Sequence, residues 1–241
     1  MTTTTAWFNI SILFNFLFVC LSIIFIYKRG GIVFLYQKID DFFNDNEYNS
    51  SVYYHHKKSQ FELLPYSDKD IIFLGDSITD QGEWSELFND NKIRNRGIGG
   101  DTVEGILNRI DQILESKPRK IFLMIGINDL ASERKSLRNV LNLYKNMLIK
   151  IKSESPNTKV FIQSLLPVNN QKRYLYDNYH IIKFNSELKE LSKEFDYEYI
   201  DVFSHLSNSD NELDNKYSLD GIHLNGQAYL IWKEVIRKYV D

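Results

Sequence analysis

Residues Ile71–Trp84 read IIFLGDSITDQGEW. Ile71 to Leu74 are too few for a helix and lack the polar alternation of a strand with one wet face, so they read as a strand buried on both sides. The run stops abruptly at Gly75-Asp76-Ser77, where a parallel strand reaches the carboxyl edge of its sheet. Gly75 is expected to let the chain turn sharply there, presenting Ser77 at the mouth of the sheet.

Beyond this stretch, short apolar runs alternate with helical periodicity. Strands are expected at 71–74, 121–125, 159–163 and 197–202, with a weaker one near 92–95. Helices are expected at 83–89, 102–115, 137–153, 174–195 and 225–240. Strand followed by helix, repeated with nearly continuous apolar strands, predicts a doubly wound α/β domain whose chemistry sits at the carboxyl ends of the strands.

Three more polar stretches fall at or beyond such ends: Gly97-Ile98-Gly99-Gly100-Asp101-Thr102, Gly126-Ile127-Asn128-Asp129 and Asp220-Gly221-Ile222-His223. With Gly75-Asp76-Ser77 they resemble the four blocks of the SGNH (GDSL) hydrolases: the nucleophile motif, a glycine before Asp-Thr, Gly-x-Asn-Asp, and Asp-x-x-His. Each block is short. All four in the family's order over residues 70–240 make the resemblance specific. It implies a three-layer α/β/α fold with a flavodoxin-like parallel sheet, ester hydrolysis, and matched positions Ser77, Gly100, Asn128, Asp220 and His223, with no departure at any of the five.

The roles also follow from chemistry. A serine hydroxyl needs a base within hydrogen-bond reach, and an imidazole titrates near working pH, which suits His223. Asp220 precedes it by three residues, so on a tight turn its carboxylate can hold the ring's tautomer. The backbone N–H groups of Ser77 and Gly100 and the Asn128 amide are the expected oxyanion donors. Asp201, at the end of the last strand, competes with Asp220 for the imidazole but is the second choice. Asp76 and Asp101 are read as loop hydrogen-bonding residues, Asp129 as a helix cap, His180 and His205 as structural, and Trp84 as packing with the option of a pocket wall. A rival class, a phosphate-binding module, would use GIGGDTVEGIL at a helix start, but the loop lacks Gly-x-Gly-x-x-Gly order and any Gly-Lys-Ser. A membrane-tethered scaffold with a vestigial site conflicts with the intact Ser, His, Asp and Asn set.

The expectation is a serine esterase working through an acyl-enzyme without metal or organic cofactor. Its expected substrate is a small-molecule or glycan acyl ester, with O-acetyl groups preferred because GIGGDT and the Trp84 near GDSIT resemble acetylhydrolase-like members. Lysophospholipid cleavage is the runner-up. The chain carries 29 basic and 32 acidic residues for a net charge of -3, which gives no steering toward nucleic acid. Its single cysteine, Cys20, excludes an intramolecular disulfide and paired-cysteine metal spacing. His55-His56 is read as a solvated pair, since adjacent residues point in different directions.

From Met1 to Tyr27 no side chain is charged. Residues 7–27 are expected to form a retained transmembrane anchor, bracketed by Trp7 and Tyr27, rather than a cleaved signal peptide. Residues 28–68 are expected to be a connecting, stalk-like segment and 69–241 the hydrolase domain. Lys28, Arg29 and Lys38 beyond the anchor predict a single-pass cell-membrane protein whose charge bias favours a cytoplasmic domain.

Overall fold

The structure is a computed structural model and describes residues 3–28, 31, 52–131, 136–169 and 177–240. It divides into two compact units, Met1–Tyr48 and Asn49–Asp241. In the first, α1 is a continuous helix, Thr3–Lys28. The second carries, in order, α2 (Val52–Leu63), β1 (Ile71–Gly75), α3 (Ser77–Asp80), α4 (Trp84–Phe88), β2 (Ile93–Gly97), α5 (Val103–Leu107), α6 (Asp111–Glu115), β3 (Lys120–Met124), α7 (Ile127–Ala131), α8 (Leu137–Glu154), β4 (Lys159–Gln163), α9 (Asn178–Phe195), β5 (Glu198–Ile200), α10 (Phe203–Leu206) and α11 (Gly226–Val240).

The five strands form one parallel sheet in the order β2-β1-β3-β4-β5. That is the flavodoxin-like order, whose direction reverses between β1 and β3 and opens a crevice beyond their carboxyl ends. Every residue of β1 and β3 is buried. Successive side chains point to opposite faces, so both faces of these central strands are covered. Phe73, Phe122 and Phe161 stand in register on β1, β3 and β4. They stack at centroid distances of 4.9 and 4.6 Å, and Trp84 closes the row at 4.4 Å from Phe73.

The membrane anchor and the cell-membrane localisation expected for residues 7–27 are corrected: among the described residues no helix is long and apolar enough to cross a membrane. Much of the expected connecting segment, residues 32–51, lies outside the described residues. Its last part belongs to the second unit. There α2 buries Tyr54 and Phe61, the Tyr54 hydroxyl donates to the Gly105 carbonyl at 3.2 Å, and the Arg96 guanidinium lies 4.8 Å from the centre of the Phe61 ring.

Two other elements differ from expectation. The helix expected over 102–115 is two pieces, α5 and α6, with Arg109 between them. Short helices α3 and α7 follow β1 and β3 directly, so Ser77 opens one helix and Asn128 lies in the first turn of the other. Of the helix expected over 174–195, residues 174–176 lie outside the described residues.

Candidate active site

Ser77 is the first residue of α3. The preceding Asp76 has extended backbone, and its carboxylate accepts the Ile78 N–H at 3.0 Å as an N-cap. This sends the chain from strand to helix without a loop and leaves Ser77 half-buried at the carboxyl edge of β1. Gly75 serves close approach rather than turning. A side chain there would meet the Met124 carbonyl oxygen and the Thr79 hydroxyl at 2.3 and 2.2 Å, because β3 and α3 crowd the end of β1.

His223 lies across the sheet edge, 146 residues away in sequence. Its Nε2 is 3.0 Å from the Ser77 Oγ, and its Nδ1 is 2.7 Å from the Asp220 Oδ2. An ionised carboxylate can only accept, so Nδ1 carries the proton and Nε2 is left to accept from the serine O–H. The turn that makes this possible is tightly bonded. Asp220 Oδ1 accepts the N–H groups of Ile222 and His223 at 3.1 and 2.9 Å, and the buried Ser218 hydroxyl accepts the Gly221 N–H at 2.8 Å while lying 3.3 Å from Asp220. Asn169, in the segment that follows β4, holds this turn, its N–H donating to the Gly221 carbonyl at 2.8 Å. The neighbouring Val168 is in turn clamped at both N–H and C=O by the buried Asn178 amide of α9.

Gly100 has φ +78°, and nothing lies within 4 Å of where a side chain would begin. The Asp101 N–H donates to the Ile98 carbonyl at 3.1 Å, closing a four-residue turn whose third position needs positive φ. The Asn128 amide donates to the Asp101 carbonyl at 2.9 Å, which links β3's end to the same turn. Ser77, Gly100, Asn128, Asp220 and His223 thus converge on one edge of the sheet.

The remaining acidic residues separate by partner. Asp129 accepts the Val103 N–H at 3.0 Å and is buried, so it fastens α5. Asp201 is exposed and accepts the Ser204 N–H at 3.1 Å in the first turn of α10, while the His223 Nδ1 is bonded to Asp220. Asp76 is fully buried, and that burial pushes its carboxyl up to about 7 against the pull of the Ile78 N–H, with Asp101 and Asp129 adding to the rise. Trp84 is 1% exposed, donates to the Thr79 carbonyl at 2.8 Å and packs in the core, which is the packing role expected of it. His55, His56, His180 and His205 are exposed. Among the described residues, no group of three His, Cys, Asp or Glu side chains could hold a metal ion.

Sequence reasoning missed Arg109. Its guanidinium pairs with Asp101 at 2.7 Å and donates to the Gly75 and Arg96 carbonyls at 3.2 and 2.9 Å. One buried cation therefore ties the ends of β1 and β2 to the Gly100 turn. An isolated arginine eight residues beyond Asp101 carries no local signal for such a role. Asn95 was likewise unmarked, although its amide donates to the carbonyls of Thr79, Asp80 and Gly82 and holds the chain leaving α3.

A doubly wound parallel sheet with a serine, an imidazole and a carboxylate bonded in sequence at its switch point defines a class, the hydrolases of ester bonds. The model of the GDSL-like lipase/acylhydrolase family matches residues 73–231, and the chain belongs to that family. The alpha2 subunit of platelet-activating factor acetylhydrolase IB from Rattus norvegicus is 27% identical over 176 residues, covering 69% of this chain and 75% of its own. Among solved structures, a Streptococcus pneumonia chain described as a candidate platelet activating factor superposes with a TM-score of 0.74 at 25% identity, over 87% of this chain and 99% of that one. Axe2, an acetylxylan esterase from Geobacillus stearothermophilus, shares the fold, with a TM-score of 0.59 at 17% identity over 72% of this chain and 94% of its own.

Proposed function

We propose that this ester hydrolase works through an acyl-enzyme on Ser77 and that its substrates carry short acyl groups, O-acetyl above all. The observation that carries the reading is the unbroken series Asp220 to His223 to Ser77, at 2.7 and 3.0 Å. His223 takes the serine proton as Oγ attacks the acyl carbon, and Asp220 stabilises the imidazolium that forms. The imidazolium then returns that proton to the departing alcohol. Water, deprotonated by the same ring, attacks the acyl-enzyme, and the imidazolium returns that proton to the Ser77 Oγ as the acyl–oxygen bond breaks and the acid leaves.

The tetrahedral intermediate carries its charge on the former carbonyl oxygen. Three donors are assigned to it: the Ser77 N–H, at a helix start where such groups lack intrahelical partners, the Gly100 N–H, and the second N–H of the Asn128 amide, whose first is held by Asp101. Support for the short-acyl preference comes from the rat relative, an acetylhydrolase by name. The acetylxylan esterase, which shares the fold, supports a glycan as the alcohol part. The second reading, a lysophospholipase or lipase, requires a long acyl chain to be accommodated beside Ser77.

Hydrolysis of p-nitrophenyl acetate and octanoate by the full-length protein tests both parts. The wild type should cleave acetate with the higher kcat/KM, and Ser77→Ala should lower that activity by at least about 10³-fold. Equal rates for Ser77→Ala and wild type would remove Ser77 as nucleophile. A strong preference for octanoate would favour the lipase reading.

A further inference from the structure

Helix α2 lies outside the family match, which begins at residue 73, yet it reaches the candidate active site. A side chain added at Gly99 would begin 3.4 Å from the Tyr53 ring and 3.9 Å from the Ser77 Cβ. The ring edge is therefore within about 7 Å of the proposed nucleophile's Cβ, on the side of the Gly99-Gly100 turn. Tyr53 remains 47% exposed, so part of the ring fronts open space beside that turn.

The ring is held in place. The Tyr53 hydroxyl donates to Asp80 at 2.5 Å, and Asp80 is three residues beyond Ser77 on α3. Lys57, one turn along α2, pairs with the same carboxylate at 2.9 Å and lies 5.9 Å from the centre of the Tyr53 ring. Burial, and then the bond to Asp80, push the phenol up to about 12, so it stays a neutral donor. The flanking residues Tyr54 and Phe61 are buried, which fixes α2 against the domain. A tyrosine serving only to dock the helix would bury its ring as Tyr54 does. Tyr53 instead spends its hydroxyl on the nucleophile's helix and leaves its ring at the lip of the site.

We infer that Tyr53 is a specificity-determining residue: its ring walls the ester-binding space beside Ser77 and Gly99 and restricts the site to short acyl groups. The inference rests on the proposal that Ser77 is the nucleophile of an ester hydrolase. An aromatic ring fixed within about 7 Å of the nucleophile's Cβ leaves room for a methyl group and obstructs an extended alkyl chain on the same side.

The test compares kcat/KM for p-nitrophenyl octanoate with that for p-nitrophenyl acetate in the full-length protein. Tyr53→Ala should raise the octanoate-to-acetate ratio at least tenfold, whereas Tyr53→Phe, which keeps the ring, should stay within about threefold of wild type. Gly99→Ala, which narrows the gap between ring and nucleophile, should lower the ratio, and it gives an independent answer if Tyr53→Ala does not fold by thermal melting. A folded Tyr53→Ala with a ratio within twofold of wild type would overturn the wall. Equal shifts in Tyr53→Ala and Tyr53→Phe would also overturn it, by placing the effect in the Asp80 bond. A wild type inert on both esters would sink the ester-hydrolase mechanism itself, a result distinct from an active enzyme with an unmoved ratio.

Discussion

Asp76 stands directly before the proposed nucleophile, and one of its oxygens, Oδ2, is buried with no hydrogen-bond partner among the described residues. Its ordinary value is 3.8 and its folded value about 7, raised first by burial and then by Asp101 and Asp129. A carboxyl whose pKa is higher in the fold than in the unfolded chain makes the folded state the tighter proton binder. Its favourable contribution is thus complete below about pH 4 and is lost as pH climbs toward 7. Replacing it with the neutral isostere Asn removes that loss. The melting temperature of Asp76→Asn relative to wild type should therefore rise from pH 5 to pH 8, by the equivalent of a few kcal/mol at most. An unchanged difference between the two pH values would mean that Asp76 is ionised within the fold. The sequence marks this residue only as a neighbour of Ser77. Its unusual proton affinity arises first from burial and then from Asp101 and Asp129, 25 and 53 residues away in sequence, none of which the local sequence shows.

At the scale of elements, legibility follows burial. Strands β1 and β3 are continuous apolar runs because both faces are covered, and their positions were readable from Ile71–Leu74 and Ile121–Ile125. Strand β2, Ile-Arg-Asn-Arg-Gly, was faint because it is an edge whose polar side chains are recruited by distant partners: Arg94 by Asp70, Arg96 by the rings of Phe61 and Tyr66, and Asn95 by the carbonyls after α3. Helix α2 was unreadable for a related reason, since only Tyr54 and Phe61 of its twelve residues are buried, too few to mark an apolar face. The motifs at strand ends were legible because each uses residues adjacent in sequence. The aromatic row across the sheet shows what such a pattern leaves out. Phe122 stacks on Phe73 at 4.9 Å on one side and on Phe161 at 4.6 Å on the other. Phe122→Ala should cost about 3–5 kcal/mol in urea unfolding, against about 1 kcal/mol for Phe122→Leu, which refills most of the volume. Similar losses for both would place the row's value in ring stacking rather than in filled space.

The catalytic unit of the whole molecule runs from Asn49, not from the first strand. Its family match begins inside β1, so everything that α2 supplies is an addition to the part the family pattern describes. That addition is structural as well as functional. Tyr54 and Phe61 are each at most 9% exposed, the Tyr54 hydroxyl reaches Gly105, the Gln112 amide donates to the Glu62 carbonyl at 2.8 Å, and Arg96, 4% exposed, is sandwiched between Phe61 and Tyr66. Burying two aromatic side chains contributes roughly 3–6 kcal/mol, an upper figure because the unfolded chain already hides some of that area. Removing α2 would also uncover the stem of Arg96, whose guanidinium would lose one of its two ring partners. A chain beginning at Asn49 should therefore melt in one transition close to that of the catalytic unit in the full-length protein. A chain beginning at Leu64, which lacks α2 and keeps Tyr66, should melt lower by roughly 10 °C or more, since about 1 kcal/mol corresponds to 2–4 °C at this size. Matching melting temperatures for the two shortened chains would show that α2 is docked without stabilising the sheet, and would confine its contribution to Tyr53 at the lip of the site.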